Sequence, residues 1–395
     1  MKFNMDFFKN KINQENDFEV VKQYIENNIN DVERNTSPNY ETEFVDKITD
    51  KELYHLSTQS QNIINWFPFT KEMEVLELCG NYGEITGTLC DKCKNVITIE
   101  PNIEKARLLG KRHQQRGNLE VVVGNLHDIR LEKKFDIITL IGVIPYIKEL
   151  MGKDVKLIEL IRYLERFLSE DGKFVLAVDN KFGLRYFSGH PENILNEQFE
   201  SLIGYSNKVE KIETFTKKSL QNMINDLGYN AKFYYPLPDY RLPNVIFTDS
   251  EPAKYNSVDK YVPYSTLKSN TVFNEIDVFR EILKTDNQMF DFFANSFLVE
   301  LSKKEISQIY KYISFNNLRK QDYRLITKIS DTFVEKQVVS KEANNHYEQI
   351  KENINILMEN KINTVDYIEN DVIKSKYVEQ KYLLNNVLTR LLRTK

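Results

Sequence analysis

Residues 75–87 have the sequence VLELCGNYGEITG, which predicts a short apolar strand, a glycine-bearing turn and the first turn of a helix. In that arrangement Gly80 and Gly83 let the backbone approach a ligand and take a positive φ, because glycine has no Cβ to clash. The free N–H groups of a helix that begins near Gly83 would point at the same place. Sheets of α/β proteins hold nucleotides in this way, but the same turn also occurs as a packing device. Nucleotide binding and plain packing therefore both remain open at this point.

Strands and helices alternate along the chain that follows this turn. The apolar, strand-like runs are 96–100, 119–123, 135–141 and 173–178, and helical patterns occupy 103–115 and 155–168. This alternation predicts an α/β, Rossmann-like fold with a parallel sheet and helices on both of its faces. Because the carboxyl ends of parallel strands meet at one edge, we expect that edge to gather a set of polar and small residues. The set comprises Gly80, Glu100, Asn125, Gly142 and Asp179.

Glu100 is the most informative residue of that set. It ends the second strand about 20 residues after the glycine turn. In a dinucleotide-type fold, an acidic residue at this spacing accepts hydrogen bonds from the two ribose hydroxyls. The alternative is an ordinary exposed glutamate at a strand end. The spacing favours ribose binding.

The segments around the sheet have weaker patterns. Residues 1–45 are polar, with a helical pattern through Phe18, Val21, Tyr24 and Ile25, and we expect a loosely attached arm. Residues 53–67 suit one or two helices that lead into the turn, so Tyr54 and His55 can lie over the pocket. A helix with one buried tyrosine is the alternative.

The chain is predicted to contain three parts: an arm at 1–45, an α/β domain at 46–305 and an α+β tail at 306–395. Within the α/β domain, the proline-rich stretch 236–243 predicts a rigid irregular loop. This loop leads into a poorly patterned insertion of about 237–290, and a last strand follows at 296–301. The elements predicted for the tail are helices at 304–312 and 342–358, strands at 323–329, 332–339 and 371–378, and a terminal helix.

The composition is that of an ordinary globular protein. The 54 Lys+Arg and 58 Asp+Glu residues give a formal net charge of -4, so no basic tract points to nucleic acid. The longest apolar run, 137–147, is too short to span a bilayer, and the N-terminus has no apolar signal segment. We therefore expect a cytoplasmic protein without a membrane span.

The three cysteines are too few for a disulfide framework, which suits a reducing compartment. Cys90 and Cys93 form a lone CxxC motif without the second pair that a zinc site needs. We expect no metal site here, and two half-buried cysteines at a helix end.

Several phrases resemble class I S-adenosylmethionine-dependent methyltransferases. The chain looks most like the methyltransferases found with bacterial surface-polysaccharide machinery, some of which are fused to a protein-kinase-like domain. The matching phrases lie between about residues 50 and 300 and are Tyr54-His55-Leu56-Ser57, the glycine turn with Ile85-Thr86-Gly87, Leu140-Ile141-Gly142-Val143, DNKFGLRYFSG at 179–189 and YYPLPDY at 234–240. The resemblance implies a seven-stranded sheet whose final strand runs antiparallel, with S-adenosylmethionine over the first two strands.

The resemblance also implies a site. The turn at 77–83 would hold the methionine part of the cofactor, Glu100 the ribose, Asn125 and Leu126 the adenine, and Gly142 with Val143 the reactive end. The full set of implied cofactor-binding residues is Tyr54, Glu77, Cys79, Gly80, Asn81, Gly83, Glu100, Asn125, Leu126, Gly142 and Val143.

The loop at 179–189 would face the methyl acceptor. Methyl transfer is an in-line displacement, so the protein supplies alignment and a place for the proton of a hydroxyl acceptor. Candidate bases are His55, Asp179, His190 and Asp239. Asp179 is preferred among them because it ends a central strand. A structural hydrogen bond is the alternative for each.

Some positions depart from the family pattern. Cys79 and Asn81 stand where the family usually has glycine, and Pro145 stands where it usually has an acidic residue. After Gly189 the chain reads His190-Pro191-Glu192-Asn193 in place of an acid-acid-histidine cluster. Two functions therefore stay open. One is a methyltransferase that O-methylates a glycan or surface-polymer precursor, and the other is an inactive, methyltransferase-like scaffold that binds a polymer-synthesis protein.

The tail resembles the small lobe of a protein kinase up to its hinge, at 376–379. Lys336 would be the phosphate-binding lysine and Glu342 or Glu348 its helix partner. No glycine-rich loop precedes Lys336, and the sequence stops before any catalytic loop. We expect a degenerate lobe used for interaction, with an unrelated α/β tail as the alternative.

Overall fold

The structure is a computed structural model that describes residues 1–8, 19–27, 50–205, 212–254, 257–258, 271–307, 309–316, 319–339, 341–362 and 366–376. The chain divides into two compact units, Met1–Ser307 and Gln308–Lys395.

The described residues of the first unit form nine strands. These are β1 (Lys2–Asn4), β2 (Glu74–Leu78), β3 (Asn95–Glu100), β4 (Leu119–Val123), β5 (Phe135–Ile141), β6 (Leu168–Asp179), β7 (Asn230–Leu237), β8 (Val245–Thr248) and β9 (Ser296–Ser302). Their order in the sheet is β1-β4-β3-β2-β5-β6-β9-β7-β8. The pairs from β1 to β6 are parallel, whereas β9 runs antiparallel to both β6 and β7.

The predicted α/β class is confirmed, but the sheet has two strands more than the seven that the resemblance implies. The additional strands are β1, which pairs with β4, and β8, which pairs with β7. The central strands are buried along most of their length, and β9 is buried at all seven positions. Continuous burial of this kind means that both faces of the sheet are covered.

The helices of this unit are α1 (Glu19–Asn27), α2 (Asp50–Leu56), α3 (Asn62–Asn65), α4 (Thr86–Lys92), α5 (Ile103–Arg112), α6 (Ile147–Met151), α7 (Leu157–Leu164), α8 (Leu184–Phe187), α9 (Glu200–Ile203), α10 (Lys217–Asp226), α11 (Glu275–Thr285) and α12 (Phe290–Phe293). Short 3-10 helices occupy Thr58–Gln61, Ile144–Tyr146, Glu165–Phe167 and Asn287–Met289.

The boundary between α7 and β6 differs from the prediction. The helical pattern was predicted to reach residue 168 and the next strand to begin at residue 173, yet α7 ends at Leu164 and β6 begins at Leu168. A Cβ at Gly172 would lie 2.7 Å from Leu168 Cγ and 2.9 Å from the backbone oxygen of Phe135. The glycine therefore serves close packing of two neighbouring strands.

The described parts of the N-terminal segment are bound to the domain, so the prediction of a loosely attached arm is wrong for them. β1 extends the sheet beside β4, and Lys2 Nζ lies 2.6 Å from the Glu120 carboxylate. Val21 and Ile25 of α1 are fully buried in a cluster that also holds Tyr82. The i, i+4 spacing of these two residues puts both on one helix face. Residues 9–18, including Phe18, lie outside the described part of the chain.

The region predicted as an irregular loop and insertion contains regular elements. β7 continues through Pro236 to Leu237 and pairs with β8. Pairing of β7 with β9 ends at Tyr234, so Pro236 lies beyond the end of the ladder on that side. The irregular stretch begins only at Pro238, and α11 forms later in the insertion.

The second unit has its own α+β arrangement. Its strands are β10 (Tyr312–Phe315), β11 (Leu325–Ile329), β12 (Phe333–Val338), β13 (Asp366–Glu369) and β14 (Val372–Lys376), and its helix is α13 (Asn344–Glu359). The strands pair antiparallel in the order β10-β11-β12-β14-β13. A core of Leu325, Tyr347, Ile354 and Ile373 lies between α13 and the sheet.

The helix predicted over 304–312 is not formed. Residues 303–307 are not helical and Tyr312 begins β10, where Ile313 is fully buried. The apolar and β-branched residues at this position stabilise strand pairing with β11.

For the kinase-like interpretation, Lys336 lies in β12 and Glu348 in α13, where Glu348 Oε1 pairs with Lys351 Nζ at 2.9 Å. Residues 377–379 and the predicted terminal helix lie outside the described residues. The kinase resemblance stays a prediction.

None of the helices in the described part of the chain combines the length and apolar character needed to cross a membrane.

Candidate functional site

The turn after β2 takes left-handed backbone angles at three residues. They are Cys79 (φ 54), Asn81 (φ 47) and Gly83 (φ 81). The prediction of a positive φ was right for Gly83 and wrong for Gly80. A Cβ at Gly80 would overlap Thr98 Oγ1 on β3, so this glycine lets the turn pack against the neighbouring strand. Non-glycine residues in the left-handed region carry about 1–2 kcal/mol of strain each.

Gly83 is also held by packing. Its carbonyl oxygen lies 2.8 Å from His113 Nε2, and a Cβ at Gly83 would lie 2.7 Å from the same nitrogen. Burial lowers the pKa of His113 to about 3, so the ring is neutral and its N–H donates to the carbonyl. The following helix, α4, begins at Thr86, three residues later than the predicted start near Gly83.

Glu100 lies at the carboxyl end of β3 and is 3% exposed. Its Oε2 accepts the backbone N–H of Asn81 at 2.9 Å, and its Oε1 accepts that of Asn102 at 2.9 Å. Burial raises the pKa of Glu100 to about 7, against the opposing charge of Lys105. The fold thus brings the predicted ribose-binding carboxylate into contact with the glycine turn.

Glu77, the acidic residue of β2, is equally enclosed. It is 1% exposed, and its Oε2 accepts a hydrogen bond of 2.7 Å from Thr86 Oγ1. Burial raises the pKa of Glu77 to about 7, and the Glu84 and Glu100 charges add to the rise. Two carboxylates with raised pKa values therefore lie around one turn.

His55 of α2 contacts this turn, and the Tyr54 ring lies beside that of His55. The His55 ring lies 4.8 Å from the Tyr82 ring, and His55 Nδ1 is hydrogen-bonded to the Glu84 carboxylate. Arg112 Nη1 donates to the carbonyl oxygens of His55 at 2.9 Å and Tyr82 at 3.1 Å. No role was predicted for Glu84 or Arg112, because their partners are distant in the sequence.

The loop after β4 carries the predicted adenine-side residues. Leu126 is fully buried, and its N–H donates to Leu150 O at 2.6 Å, while Asn125 is half-buried. Gly124 has a φ of 145°, and a Cβ there would lie 2.7 Å from Phe7 O. The described N-terminal residues therefore pass directly beside this loop.

The loop after β5 carries the predicted reactive end. Gly142 has a φ of 66°, and a Cβ on it would lie 2.8 Å from the Tyr240 hydroxyl. Val143 is fully buried and precedes the 3-10 helix Ile144–Tyr146. A side chain at Gly142 would thus need both a strained backbone and a displaced Tyr240.

The remaining candidate bases belong to an arginine cluster formed by Asp179, Arg185, His190, Asp239 and Arg241, in which Asp179 and Arg241 are half-buried and the other three are buried. Arg241 donates to both oxygens of Asp179 at 2.9 and 2.7 Å, and to Asp239 at 3.3 Å. Arg185 pairs with Asp239, and its Nη2 lies 2.9 Å from His190 Nδ1. The sequence identified both aspartates and His190 but missed the two arginines that join them. Asp179 and Asp239 follow buried strands, and carboxylates at such positions need cationic partners. This requirement is the signal from which arginine partners could have been predicted.

The ion pair with Arg241 changes the chemistry of Asp179. Burial would raise the pKa of this carboxyl, but the Arg241 charge and hydrogen bonds outweigh burial and lower it. A carboxylate that accepts two hydrogen bonds from a guanidinium is a weak proton acceptor.

A cleft connects the loop after β5 with the arginine cluster. Its lining includes Gly142, Ile144, Asp179, Tyr186, Tyr205 and Tyr240. Two acidic side chains of the lining accept backbone hydrogen bonds. Glu192 accepts the Ile194 N–H at 2.7 Å, and Glu213 accepts the Leu157 N–H at 2.8 Å.

The three cysteines are free and buried, so the two at the end of α4 are more enclosed than predicted. Among the described residues, no group of three or more His, Cys, Asp or Glu side chains is arranged to hold a metal ion.

Residues 55–232 match the model of a family described as Methyltransferase domain. This range contains the turn after β2, Glu100 and Asp179. Residues 55–232 are therefore similar to a methyltransferase domain. No curated protein matches the sequence.

Three solved structures illustrate what the chain is similar to. The YcgJ protein of Bacillus subtilis matches at 14% identity over 62% of this chain and 99% of that chain, with a TM-score of 0.36. Phosphoethanolamine N-methyltransferase 1 of Haemonchus contortus, in complex with phosphoethanolamine and S-adenosylhomocysteine, matches at 10% identity over 73% and 50%, with a TM-score of 0.39. The plantazolicin methyltransferase BamL matches at 12% identity over 71% and 100%, with a TM-score of 0.37.

Proposed function

We propose that the protein is an S-adenosylmethionine-dependent methyltransferase that methylates an oxygen of a glycan or another small acceptor. The observation that carries this proposal is the position of Glu100. It is a buried carboxylate at the carboxyl end of the second parallel strand, hydrogen-bonded to the glycine turn, inside the range that matches a methyltransferase domain.

The polar side chains at the carboxyl ends of the parallel strands suit the binding of S-adenosylmethionine. Glu100 offers carboxylate oxygens to the two ribose hydroxyls, and the half-buried Asn125 offers an amide to the adenine. Gly142 lines the cleft beside the arginine cluster and is proposed to face the reactive end of the cofactor. The residues proposed to hold the cofactor are Tyr54, Glu77, Cys79, Gly80, Asn81, Gly83, Glu100, Asn125, Leu126, Gly142 and Val143.

The charge of the turn supports the same ligand. Glu77, Glu84 and Glu100 lie within electrostatic range of one another and are all buried. When bound, S-adenosylmethionine supplies a methyl group on a positively charged sulfonium. Carboxylates in a water-poor pocket interact favourably with such a charge because the effective dielectric constant there is low.

The cleft beside the arginine cluster is the proposed acceptor site. Its phenols Tyr186 and Tyr240 can donate hydrogen bonds to a hydroxylated acceptor. His55, Asp179 and His190 stay candidates for holding the acceptor's proton. The Arg241 ion pair makes Asp179 a weak base, and an acceptor that displaces that arginine would remove this effect.

Calorimetry with S-adenosylhomocysteine and S-adenosylmethionine tests the proposal most directly. We expect binding by the wild-type protein and a loss of about 10-fold or more in affinity for Glu100→Ala, because two hydrogen bonds to a charged group are removed. Glu104→Ala is the matched control, since Glu104 is exposed and pairs with Arg107 on the same helix, α5. No binding of either ligand at millimolar concentration would refute the proposal. If Glu100→Ala binds the cofactor as tightly as the wild type does, Glu100 is not a cofactor-binding residue.

The acceptor is tested by methyl transfer from labelled cofactor. Activity towards hydroxylated sugars, and none towards amines of similar size, is the expected result. The opposite preference would replace oxygen by nitrogen as the atom methylated. A polymer-synthesis protein as partner remains part of this proposal and is tested by co-purification.

A further inference from the structure

Glu213 lies in a segment that is held beside the carboxyl end of β6. Phe215 of this segment forms an isolated parallel bridge with Asn180, and its carbonyl oxygen accepts the Lys181 N–H at 2.7 Å. These contacts hold the backbone near Glu213 at the edge of the sheet. Glu213 lines the same cleft as Gly142. The fold thus brings a carboxylate without a predicted role to the cleft in which the acceptor is proposed to bind.

The described lining of this cleft contains three carboxylates, and two of them are hydrogen-bonded at both oxygens. The two oxygens of Asp179 accept hydrogen bonds from Arg241 at 2.9 and 2.7 Å. Glu192 is 2% exposed, and its Oε1 accepts the Leu195 N–H at 2.5 Å while its Oε2 accepts the Tyr205 hydroxyl at 3.0 Å. A substrate proton would have to compete with these donors.

Glu213, the third carboxylate, has an oxygen that no described residue occupies. Its Oε2 accepts the Leu157 N–H, whereas its Oε1 accepts no hydrogen bond from the described part of the chain. The side chain is half-buried, so it is neither enclosed like Glu192 nor paired with a guanidinium of the described residues like Asp179. An ionised carboxylate with an unoccupied oxygen is able to accept the proton of a hydroxyl group.

The surroundings of Glu213 also make it a better proton acceptor than Asp179. Burial, the largest influence, raises the pKa of Glu213, and the Leu157 N–H and the Lys156 charge oppose that rise. Glu159, in the first turn of α7, adds to it. The other titratable groups in the lining of the cleft are Asp179, Lys181, Tyr186, Glu192, Tyr205 and Tyr240. A raised pKa strengthens a general base as long as the group stays ionised at the working pH.

We propose that Glu213 is the catalytic base of the cleft and that its Oε1 accepts the proton of the acceptor hydroxyl. The inference rests on the proposed function and adds a catalytic residue to it. The acceptor oxygen forms a bond to the methyl carbon while the bond from that carbon to sulfur breaks, and the electron pair of the broken bond stays on sulfur. The hydroxyl proton passes to Glu213 and is released to solvent after the product leaves.

The first measurement needs neither cofactor nor acceptor. Protein labelled with ¹³C at glutamate Cδ is titrated by NMR, and the Glu213 resonance is identified by its loss in Glu213→Gln. We expect Glu213 to titrate above 4.5, its ordinary pKa, because burial outweighs the opposing influences. A pKa at or below 4.5 would overturn the inference, since the start of α7 would then hold the charge of Glu213 as Arg241 holds that of Asp179.

The second measurement is methyl transfer from labelled S-adenosylmethionine to the methyl glycosides of glucose, galactose and N-acetylglucosamine. Glu213→Gln should lower kcat about 100-fold or more, because its amide accepts the Leu157 N–H but takes up no proton. Its affinity for S-adenosylhomocysteine, measured by calorimetry, should equal that of the wild type. In the wild type, kcat/KM should rise as the pH rises through the pKa measured by NMR, and this rise should be absent from the variant.

Glu159→Gln is the matched control. Glu159 also accepts a backbone N–H at the start of α7, that of Lys156 at 2.8 Å, but it is exposed and is not part of the described cleft lining. This variant should keep the wild-type kcat and pH profile. Glu213→Ala serves as a second neutral variant should Glu213→Gln fail to fold.

Wild-type transfer rates in a neutral Glu213 variant overturn the inference and leave the proposed function intact. A loss of rate that is equal at every pH, or one that is matched by a loss of S-adenosylhomocysteine affinity, also overturns it, because Glu213 would then have a structural role. If the wild type transfers no methyl group to any of the three glycosides, the proposed glycan acceptor is refuted, and the role of Glu213 is refuted with it.

Discussion

Glu77 and Glu100 beside the turn are 1% and 3% exposed, and burial raises the pKa of each to about 7. Asp179, in the arginine cluster, is also affected by burial, but its pKa is lowered. The difference between the two regions is a bonded guanidinium. Arg241 donates two hydrogen bonds to Asp179, whereas the hydrogen bonds that Glu77 and Glu100 accept from described residues come from neutral donors.

The arginine cluster therefore acts as a structural support, whereas the turn after β2 has the character of a binding surface. In the arginine cluster, each carboxylate is neutralised within the protein, so the cluster mainly fixes the loops that follow β6 and β7. Around the turn, the carboxylates outnumber the cations, and the site has capacity for hydroxyl donors and for a positively charged ligand. The predictions below test each half of this contrast.

The largest effect is expected when the arginine cluster is broken. Arg185 and Asp239 have side chains that are 3% and 0% exposed. Removing one partner of a buried ion pair costs about 3–5 kcal/mol, because the other charge stays buried. Arg185→Leu should therefore lose about that much stability in urea denaturation at pH 7. The double variant Arg185→Leu/Asp239→Asn should lose less, since it does not leave the Asp239 charge with only its longer, 3.3 Å contact to Arg241.

Arg280→Leu is the control for this experiment. Arg280 pairs with Asp277 on the surface of α11, where the side chains are 31% and 65% exposed. Such pairs contribute about 0–1 kcal/mol. If Arg185→Leu lowers the stability no more than Arg280→Leu does, the arginine cluster is not a structural support.

A smaller, pH-dependent effect is expected on the turn side. Glu77 has a pKa of about 7 in the folded protein and an ordinary value near 4.5 when unfolded. The folded state therefore holds its proton more tightly, and stability is lost as the pH rises from about 4.5 through 7. Glu77→Gln removes this loss and can still accept the Thr86 hydrogen bond. It should be more stable than the wild type by up to about 3 kcal/mol at pH 8.5, and close to it at pH 5.

Urea denaturation at the two pH values measures this difference. Glu104→Gln, at an exposed position on α5, should show the same small change at both. An effect of Glu77→Gln that is equal at pH 5 and pH 8.5 would mean that the carboxyl does not titrate in this range.

The sequence predicted the strands well because their apolar runs are buried on both faces. Once the strand order is parallel, the topology alone puts Glu100 and Asp179 on one edge. The pairing of Asp179 with Arg241 was not predictable in the same way, since the two residues are 62 positions apart and meet only through the chain's path after β7. The same holds for His55 and Glu84, 29 positions apart.

The attachment of the N-terminal segment was missed for a related reason. β1 has only three residues, too few for a clear period, and its partner β4 is more than a hundred positions away. A short edge strand is stabilised by pairing rather than by its own propensity. Local patterns therefore specify the central sheet, while its edges and ion pairs depend on tertiary contacts.

The smallest predicted effect concerns Asn81, whose left-handed backbone conformation was not predicted from the sequence. Its φ of 47° lies in the left-handed region, and its Nδ2 donates to Cys79 O at 3.0 Å. Asn81→Gly and Asn81→Ala both remove that hydrogen bond, but only alanine keeps a Cβ. We expect the alanine variant to be about 1 kcal/mol less stable than the glycine variant.

The same pair of substitutions at Asn225, exposed on α10, should give the opposite sign, because alanine is favoured over glycine by about 1 kcal/mol within a helix. Chemical denaturation of the four variants measures both differences. Equal stability of the two Asn81 variants would show that the turn relaxes in solution and that its left-handed angles store no strain. Since the Asn81 N–H donates to Glu100, a relaxed turn would also loosen one of the two backbone bonds that hold the proposed ribose-binding carboxylate. The stability of this one turn is thus connected to the orientation of the group on which cofactor binding is proposed to depend.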